Sequence, residues 1–235
     1  MDEPLPGLED LLREIREIPS PEVRLAGLAV TRKVIEQQLD ISRRSELLKL
    51  QQQHVRDQTH EEDAALDMYE LEVQVTHLLP KVLRGGFLLL LWSTLEACTK
   101  DLAVYASRQT GRALPNGLFR HSSFIESSEQ AFASVLDIKA YETFDEREAL
   151  ARLAKVRAAL VHHNGNVEAL PEDLKNGNRL ALESEGLNLE QDLHHRYFVA
   201  TEEYVERHFV LVDRHLRGLS SRVRKKLRSF RSGDT

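Results

Sequence analysis

The chain has 235 residues, among them 38 leucines, eleven glycines, seven prolines and one cysteine. That length can bury a core as one domain, or as one domain with an extension. Few breakers, many leucines and 6% aromatics point to long helices and away from a turn-rich sandwich or barrel. Cys98 alone excludes an internal disulfide and a CxxC zinc site, and such cysteine usage fits a reducing cytosol. The acidic start MDEPLPGLED lacks the apolar core of a secretory signal. The longest apolar run, Phe87 to Trp92, is too short to cross a bilayer, so the expectation is a cytoplasmic protein without a membrane partner. The net charge of −6 argues against a general polyanion binder, yet it is unevenly spread. Residues 214–231 carry eight Lys/Arg and no acid, leaving 24 basic against 38 acidic residues elsewhere. A basic tail on an acidic body points to an anionic partner.

In chain order, residues 1–21 hold four of the seven prolines around a short apolar-acidic segment and read as a short helix or loose arm. Ser20-Pro21-Glu22 is a helix start. A long charged helix follows to about Gln53, with Ala26, Val30 and Val34 marking one face. Thr59 with Glu62 predicts a capping box. The steps Ala64, Met68, Leu71, Val75, Leu78 then form a narrow seam suited to a partner helix, and Pro80 kinks or ends that helix. Residues 22–79 thus read as a long helical, coiled-coil-like extension, as either one broken helix or two. From Val82 to about Arg108, Leu88, Leu91, Leu95, Cys98, Leu102 and Tyr105 give an apolar face that Phe87, Leu89, Leu90 and Trp92 widen, as for a central bundle helix. Glu96 is the odd charge inside it.

Residues 110–121 are turn chemistry. Ser123 with Glu126, and Thr143 with Glu146, are two further capping boxes. The second opens a helix with the stripe Leu150, Leu153, Arg157, Leu160 that stops at Asn164-Gly165. Residues 166–188 read as loop, with Leu180 and Leu182 as a short extended piece. Asn188 with Gln191 predicts the cap of a last helix, about Leu189 to Leu216, whose apolar positions include Leu193, Phe198, Val205, Phe209, Val212 and Leu216. Gly218 separates it from a basic tail, 218–235. The expected fold is an all-α helical bundle, 80–217, with the long N-terminal helical extension before it.

The unusual residues gather at one helix end, Lys155-Val156-Arg157-Ala158-Ala159-Leu160-Val161-His162-His163-Asn164-Gly165. An arginine on an apolar stripe is costly unless paired. Seven residues at about 100° each bring Asn164 onto the Arg157 face, whereas His162 is about 140° round. The two side chains therefore meet only if the last turn unwinds, if the arginine reaches round, or if a second subunit brings its copy alongside. A purely structural role is equally concrete: histidines suit a helix C-terminus, Asn-Gly stops the helix, and Arg157 pairs with Glu96.

Arg-x4-His followed by Asn-Gly late in an all-α chain resembles the HEPN superfamily (higher eukaryotes and prokaryotes nucleotide-binding), many of whose short-spaced members read close to RNxxVHNxG. RAALVHHNG is similar to that pattern, with Ala158 at a commonly polar position and His163 doubling the histidine. LPKVLRGGFLLLLWSTLEACTKDL resembles the family's central helix, and the similarity covers about residues 70–217. The resemblance implies a metal-independent endoribonuclease with no cofactor, working as a homodimer with its two motifs facing one cleft. His162 would move protons at the 2′-hydroxyl or the 5′-oxygen, and Arg157 would clamp the phosphate. Asn164 would orient the imidazole or a phosphate oxygen, and Glu96 would hold Arg157. Lys155 and His163 would extend the contacts to RNA. The expected products are 2′,3′-cyclic phosphate ends, and a toxin or antiviral effector with an inhibitory partner is the expected setting. No metal is expected: His162-His163 and His194-His195 are adjacent pairs whose members point apart. The alternative is a catalytically inactive HEPN-like dimerisation, scaffold or nucleotide-binding protein whose working surface is 22–79.

Overall fold

A computed structural model describes residues 20–57, 60–119, 123–170, 172, 179–191 and 196–232. The long helices are α1 (Glu22–Asp57), α2 (Glu61–Val73), α3 (Leu79–Thr110), α4 (Phe124–Leu136), α5 (Phe144–His163) and α7 (Glu202–Ser232). Between α5 and α7 lie a 3₁₀ turn (Val167–Ala169), a short α6 (Arg179–Ser184) and a two-stranded antiparallel hairpin, β1 (Leu187–Gln191) with β2 (Arg196–Ala200). The chain is an all-α helical bundle carrying one small hairpin.

Two compact units partition the chain. The first comprises Met1–Leu25, Ser93–Leu150 and Leu211–Thr235; the second comprises Ala26–Trp92 and Ala151–Val210. In the first, Leu95, Leu102, Phe132, Leu136, Leu150, Val212, Leu216, Leu219 and Val223 have essentially no exposed surface. Both capping boxes open its helices. Ser123 accepts from the Glu126 N–H at 3.2 Å, and Thr143 accepts from the Glu146 N–H at 3.1 Å. The Glu146 carboxylate returns to the Glu142 N–H at 2.6 Å, one residue before the usual partner, and its other oxygen meets Nδ1 of buried His215 at 3.1 Å. Burial works to raise the Glu146 carboxyl, but those two hydrogen bonds carry it below its ordinary value.

In the second unit α1 and α2 form a helical hairpin in which Nε2 of His54 meets Asp67 at 3.1 Å. The buried residues of α1 are Leu25, Leu28 and Leu39, whereas Ala26, Val30 and Val34 are exposed. The valine spacing therefore marked the wrong face, because a long charged helix with weak periodicity is oriented by its neighbours and not by its own pattern. The α2 seam is half-buried at Ala64, Met68 and Leu71 and buried at Val75, but Leu78 is exposed. Thr59 lies outside the described residues, and α2 starts from His60 without a side-chain cap. Pro80 neither ends nor interrupts the helix. The preceding turn, Gln74–Leu78, widens to a π-helix, which relieves the clash of the proline ring with the carbonyl four residues back. His77 anchors this turn to Glu190 of β1 at 2.9 Å. Arg84 then forks onto the Glu36 carboxylate at 2.6 and 2.9 Å and reaches the Ala200 carbonyl at 3.3 Å.

By length and composition, the continuous helical stretch Glu61–Thr110 is long and apolar enough to cross a membrane, which the run 87–92 alone did not suggest. Its apolar residues Leu88, Leu91, Leu95 and Leu102 are all buried inside the fold.

The last third of the chain departs most from expectation. Residues 179–184 are helical, so Leu180 and Leu182 do not form an extended piece. Asn188 and Gln191 lie in β1 and cap nothing; Leu193 lies outside the described residues. Phe198 is a buried strand residue between Tyr197 and Val199. This β-branched and aromatic cluster overrides a helical reading once both of its faces are covered. The last helix instead begins after Thr201, whose hydroxyl accepts from the Tyr204 N–H at 3.2 Å. Gly218 does not interrupt it: α7 runs on to Ser232, with Leu219, Val223 and Leu227 continuing the buried stripe of Val205, Val212 and Leu216. The basic segment is thus one face of an amphipathic helix.

Gly186 closes the turn before β1 at φ 78°. A Cβ there would stand 2.9 Å from the Thr201 hydroxyl and 3.1 Å from Tyr204 Cβ. Left-handed strain with this overlap makes Gly186→Ala cost about 2 kcal/mol, so thermal unfolding is expected to fall by about 4–8 °C. An unchanged midpoint would show that the turn can relax.

Candidate functional site

The motif occupies the C-terminal turns of α5 in the second unit. The helix is unbroken to His163, so the last turn does not unwind before the histidines. Asn164 and Gly165 then both take left-handed backbone, φ 50° and 75°, the usual conformation for ending a helix. The Gly165 N–H donates to the Ala159 carbonyl at 3.0 Å, and the Phe198 N–H donates to the Gly165 carbonyl at 3.1 Å. The Asn-Gly pair therefore turns the chain and docks the helix end on β2. A Cβ on Gly165 would sit 3.6 Å from the Phe198 carbonyl oxygen.

Burial corrects the placement of Arg157. The buried apolar positions of α5 are Leu150, Leu153, Val156 and Ala159, with Leu160 half-buried. Arg157 flanks this stripe, half-exposed, and does not enter the core. The stripe steps by three, so Val156 occupies the place assigned to the arginine. Arg147 and Arg152 on the same helix are committed to ion pairs, with Glu129 and Glu148 at 3.0 and 2.8 Å and with Glu185 at 2.9 Å. Among the described residues no such partner faces the Arg157 guanidinium. Lys155, His162, His163 and Asn164 are exposed. The two imidazoles lie edge to face with centroids 6.4 Å apart.

With α5 straight to His163, Arg157 and His162 point about 140° apart and about 7.5 Å apart along the axis. Within one chain the helix does not bring them together. Glu96 belongs to the first unit, is half-buried and stands 3.7 Å from Lys100, one turn on.

Two residues beside the helix end were not anticipated. Lys81 on α3 places its Cε 3.8 Å from where a Gly165 Cβ would be, and its ammonium 3.8 Å over the Tyr197 ring. That geometry is a cation–π contact, and finding it required the hairpin. Among the described residues no group of three or more His, Cys, Asp or Glu side chains is arranged to hold a metal; His194 and His195 lie outside them.

No family model, curated protein or solved structure matches the chain. Fold and sequence together define the class, an all-α helical protein with a half-exposed arginine and an exposed histidine at one helix terminus.

Proposed function

We propose that the protein is an endoribonuclease of the HEPN type, acting on RNA as a homodimer without a metal. The observation that carries this reading is the state of Arg157: a half-exposed arginine without an ionic partner among the described residues, about one and a half turns before an exposed histidine. An arginine needs no phosphate to sit at a surface, but one without an ion pair among the described residues, on a helix whose other arginines are paired, is available to the two non-bridging oxygens of a phosphodiester. The 2′-hydroxyl attacks the adjacent phosphorus, the bond to the 5′-oxygen breaks, and a 2′,3′-cyclic phosphate and a 5′-hydroxyl are left. His162 takes the 2′-proton, and the second protomer's copy of the same histidine delivers one to the leaving oxygen. Arg157 stabilises the charge that develops on the phosphoryl oxygens. Asn164 holds the imidazole, and Lys155 and His163 contact flanking phosphates. Because the two side chains diverge on one helix, a second copy is needed to close the site. A cytoplasmic toxin or antiviral effector held by an inhibitory partner fits such an activity.

Incubating the full chain with total RNA in EDTA tests this. Cleavage leaving 2′,3′-cyclic phosphate ends is expected. Intact RNA under every condition tried, from a sample that is dimeric, would sink the proposal.

A specific observation favours a second reading, a non-catalytic dimerisation or scaffold protein. On α1, Val34, Ile41, Leu48 and Val55 recur every seven residues and are all exposed, by 47, 56, 55 and 82%. A seven-residue apolar repeat suits a partner helix. Replacing Ile41 and Leu48 by Ser is expected to lower the oligomeric state under this reading and to leave it unchanged if α1 is only solvated.

A further inference from the structure

Helix α1 carries an apolar stripe on the side away from the fold. Its buried residues in the second unit are Leu28 and Leu39. Val30, Val34, Ile41, Leu48 and Val55 lie about 140–180° round from Leu39, and all five are exposed. Gln37, Arg44 and Gln51 fall between them and are exposed as well. Together these positions step by four and three in strict alternation over about 38 Å, the spacing of a coiled-coil seam.

An ordinary solvated face has a different composition. The side of a surface helix farthest from the core is where charged residues belong, and 30% of this chain is charged. The seam carries a single charged residue, Arg44, while the exposed positions beside it include Lys33, Asp40, Arg43, Lys49 and Arg56. Arg44 forks onto the Asp40 carboxylate one turn back, at 3.1 and 2.8 Å.

Charge and pattern together select a partner and its direction. A parallel copy in register would stack Arg44 on Arg44, Gln37 on Gln37 and Gln51 on Gln51, and would set Asp40 level with Asp40. An antiparallel copy, related by a two-fold axis between Ser42 and Arg43, overlaps every seam position with another. Val30 then meets Val55, Val34 meets Gln51, Leu48 meets Gln37 and Ile41 meets Arg44. No polar seam residue faces its own copy, and every layer holds an apolar side chain. Asp40 of each copy comes within about 1.5 Å of the level of Arg44 in the other. The two Asp40–Arg44 pairs thus lie side by side with opposite charges adjacent.

We propose that α1 pairs antiparallel with α1 of a second copy of this chain along this seam, centred between Ser42 and Arg43. The pairing rests on the second reading above, that α1 carries the working surface, and supplies its occupant and direction. It requires nothing of the α5 motif. Polar residues at seam positions fix direction and register at a cost in affinity, so a reversible pair is expected.

The test uses the full chain, whose one cysteine, Cys98, is buried, so introduced thiols report by themselves. Val30 and Val55 stand about 38 Å apart on one helix and meet only across the antiparallel pair. Tagged Val30→Cys mixed with untagged Val55→Cys is expected to give a disulfide-linked mixed dimer, whereas either variant alone is expected to give none. Sedimentation then tests the charges. Arg44→Glu is expected to weaken association at least about tenfold, because opposite charges become like charges twice in each dimer. Asp40→Lys combined with Arg44→Glu is expected to restore it, a rescue that a folding defect cannot produce. An oligomeric state that neither Arg44→Glu nor Ile41→Ser with Leu48→Ser changes would remove α1 pairing, and the second reading with it. A state lowered by the serines, but with Val30→Cys linking to itself or no mixed dimer forming, would remove the antiparallel pairing alone.

Discussion

A His162→Ala protein is expected to lose RNA cleavage by about 10²- to 10⁴-fold, the contribution of a positioned general acid or base. It should keep its thermal unfolding midpoint. The side chain is exposed in the last turn of α5, and among the described residues its ring contact is with His163. Substitutions at such positions ordinarily change stability by less than about 0.5 kcal/mol, so a large loss of cleavage cannot be ascribed to unfolding. Arg157 offers a sharper comparison. Arg157→Lys keeps the charge and loses the fork, and a point charge cannot reproduce two parallel hydrogen bonds to one phosphate. If Arg157 clamps the phosphate, the lysine variant should fall nearly as far as Arg157→Ala. If it acts only as surface charge, the lysine variant should resemble wild type. Mixing His162→Ala with Arg157→Ala protomers tests the shared cleft, since a composite site built from two chains should regain part of the activity. Cleavage by His162→Ala at the wild-type rate would remove the histidine from the mechanism.

The second large effect concerns stability against pH. His208 on α7 is 7% exposed, with its ring 4.0 Å from that of Tyr204 and its Nδ1 2.9 Å from the Tyr204 carbonyl oxygen. Burial lowers its pKa to about 4, and Arg207 and Arg152 push the same way against the hydrogen bond. The unfolded chain binds this proton near pH 6.5 and the folded chain only near pH 4, so the unfolded state holds more protons between those values. Stability from this group is therefore complete above about pH 6.5 and is lost as pH falls towards 4. The change is on the order of 3 kcal/mol. Denaturant titrations across pH 7 to 4.5 should show this decline, and His208→Gln should flatten it. Below that range Glu146 adds to acid sensitivity, because its lowered carboxyl pKa gives stability that disappears on protonation. An identical pH profile in His208→Gln would assign the acid loss elsewhere.

Where local chemistry is self-contained, the sequence was a good guide. Ser123 with Glu126 and Thr143 with Glu146 cap helices because donor and acceptor are three residues apart and need nothing else. Asn164-Gly165 ends α5 because both residues tolerate left-handed backbone. The apolar face from Leu88 to Tyr105 was readable because nearly every third or fourth residue is large and apolar, which leaves one orientation. Failure came where two readings differ only in what covers them. Leu187–Gln191 and Arg196–Ala200 carry apolar residues compatible with either period, and burial of both faces of β2 within the fold made them paired strands. On α1 the valines and the leucines are both plausible faces, and packing selected the leucines.

The candidate site divides along the same line. Residue types and spacing, Arg157 five before His162 and Asn-Gly after, are properties of the chain alone, as is the fact that a straight helix points the two apart. Whether the arginine lies in the core or beside it was open, because a stripe stepping through 150, 153, 157 and 160 and one stepping through 150, 153, 156 and 159 differ by a single residue. Packing chose the second. That choice removed the cost of a buried charge and left Arg157 half-exposed. Charge shows the same division. Eight basic residues between 214 and 231 were visible from composition, and a glycine at 218 suggested a separate tail. Only the folded chain shows one continuous helix, because burial of Leu219, Val223 and Leu227 more than offsets one glycine in a helix interior. Composition therefore determined that the chain is helical and where its cations fall. Tertiary packing decided which faces those cations occupy, since burial is a property of what surrounds a residue and not of the residue itself.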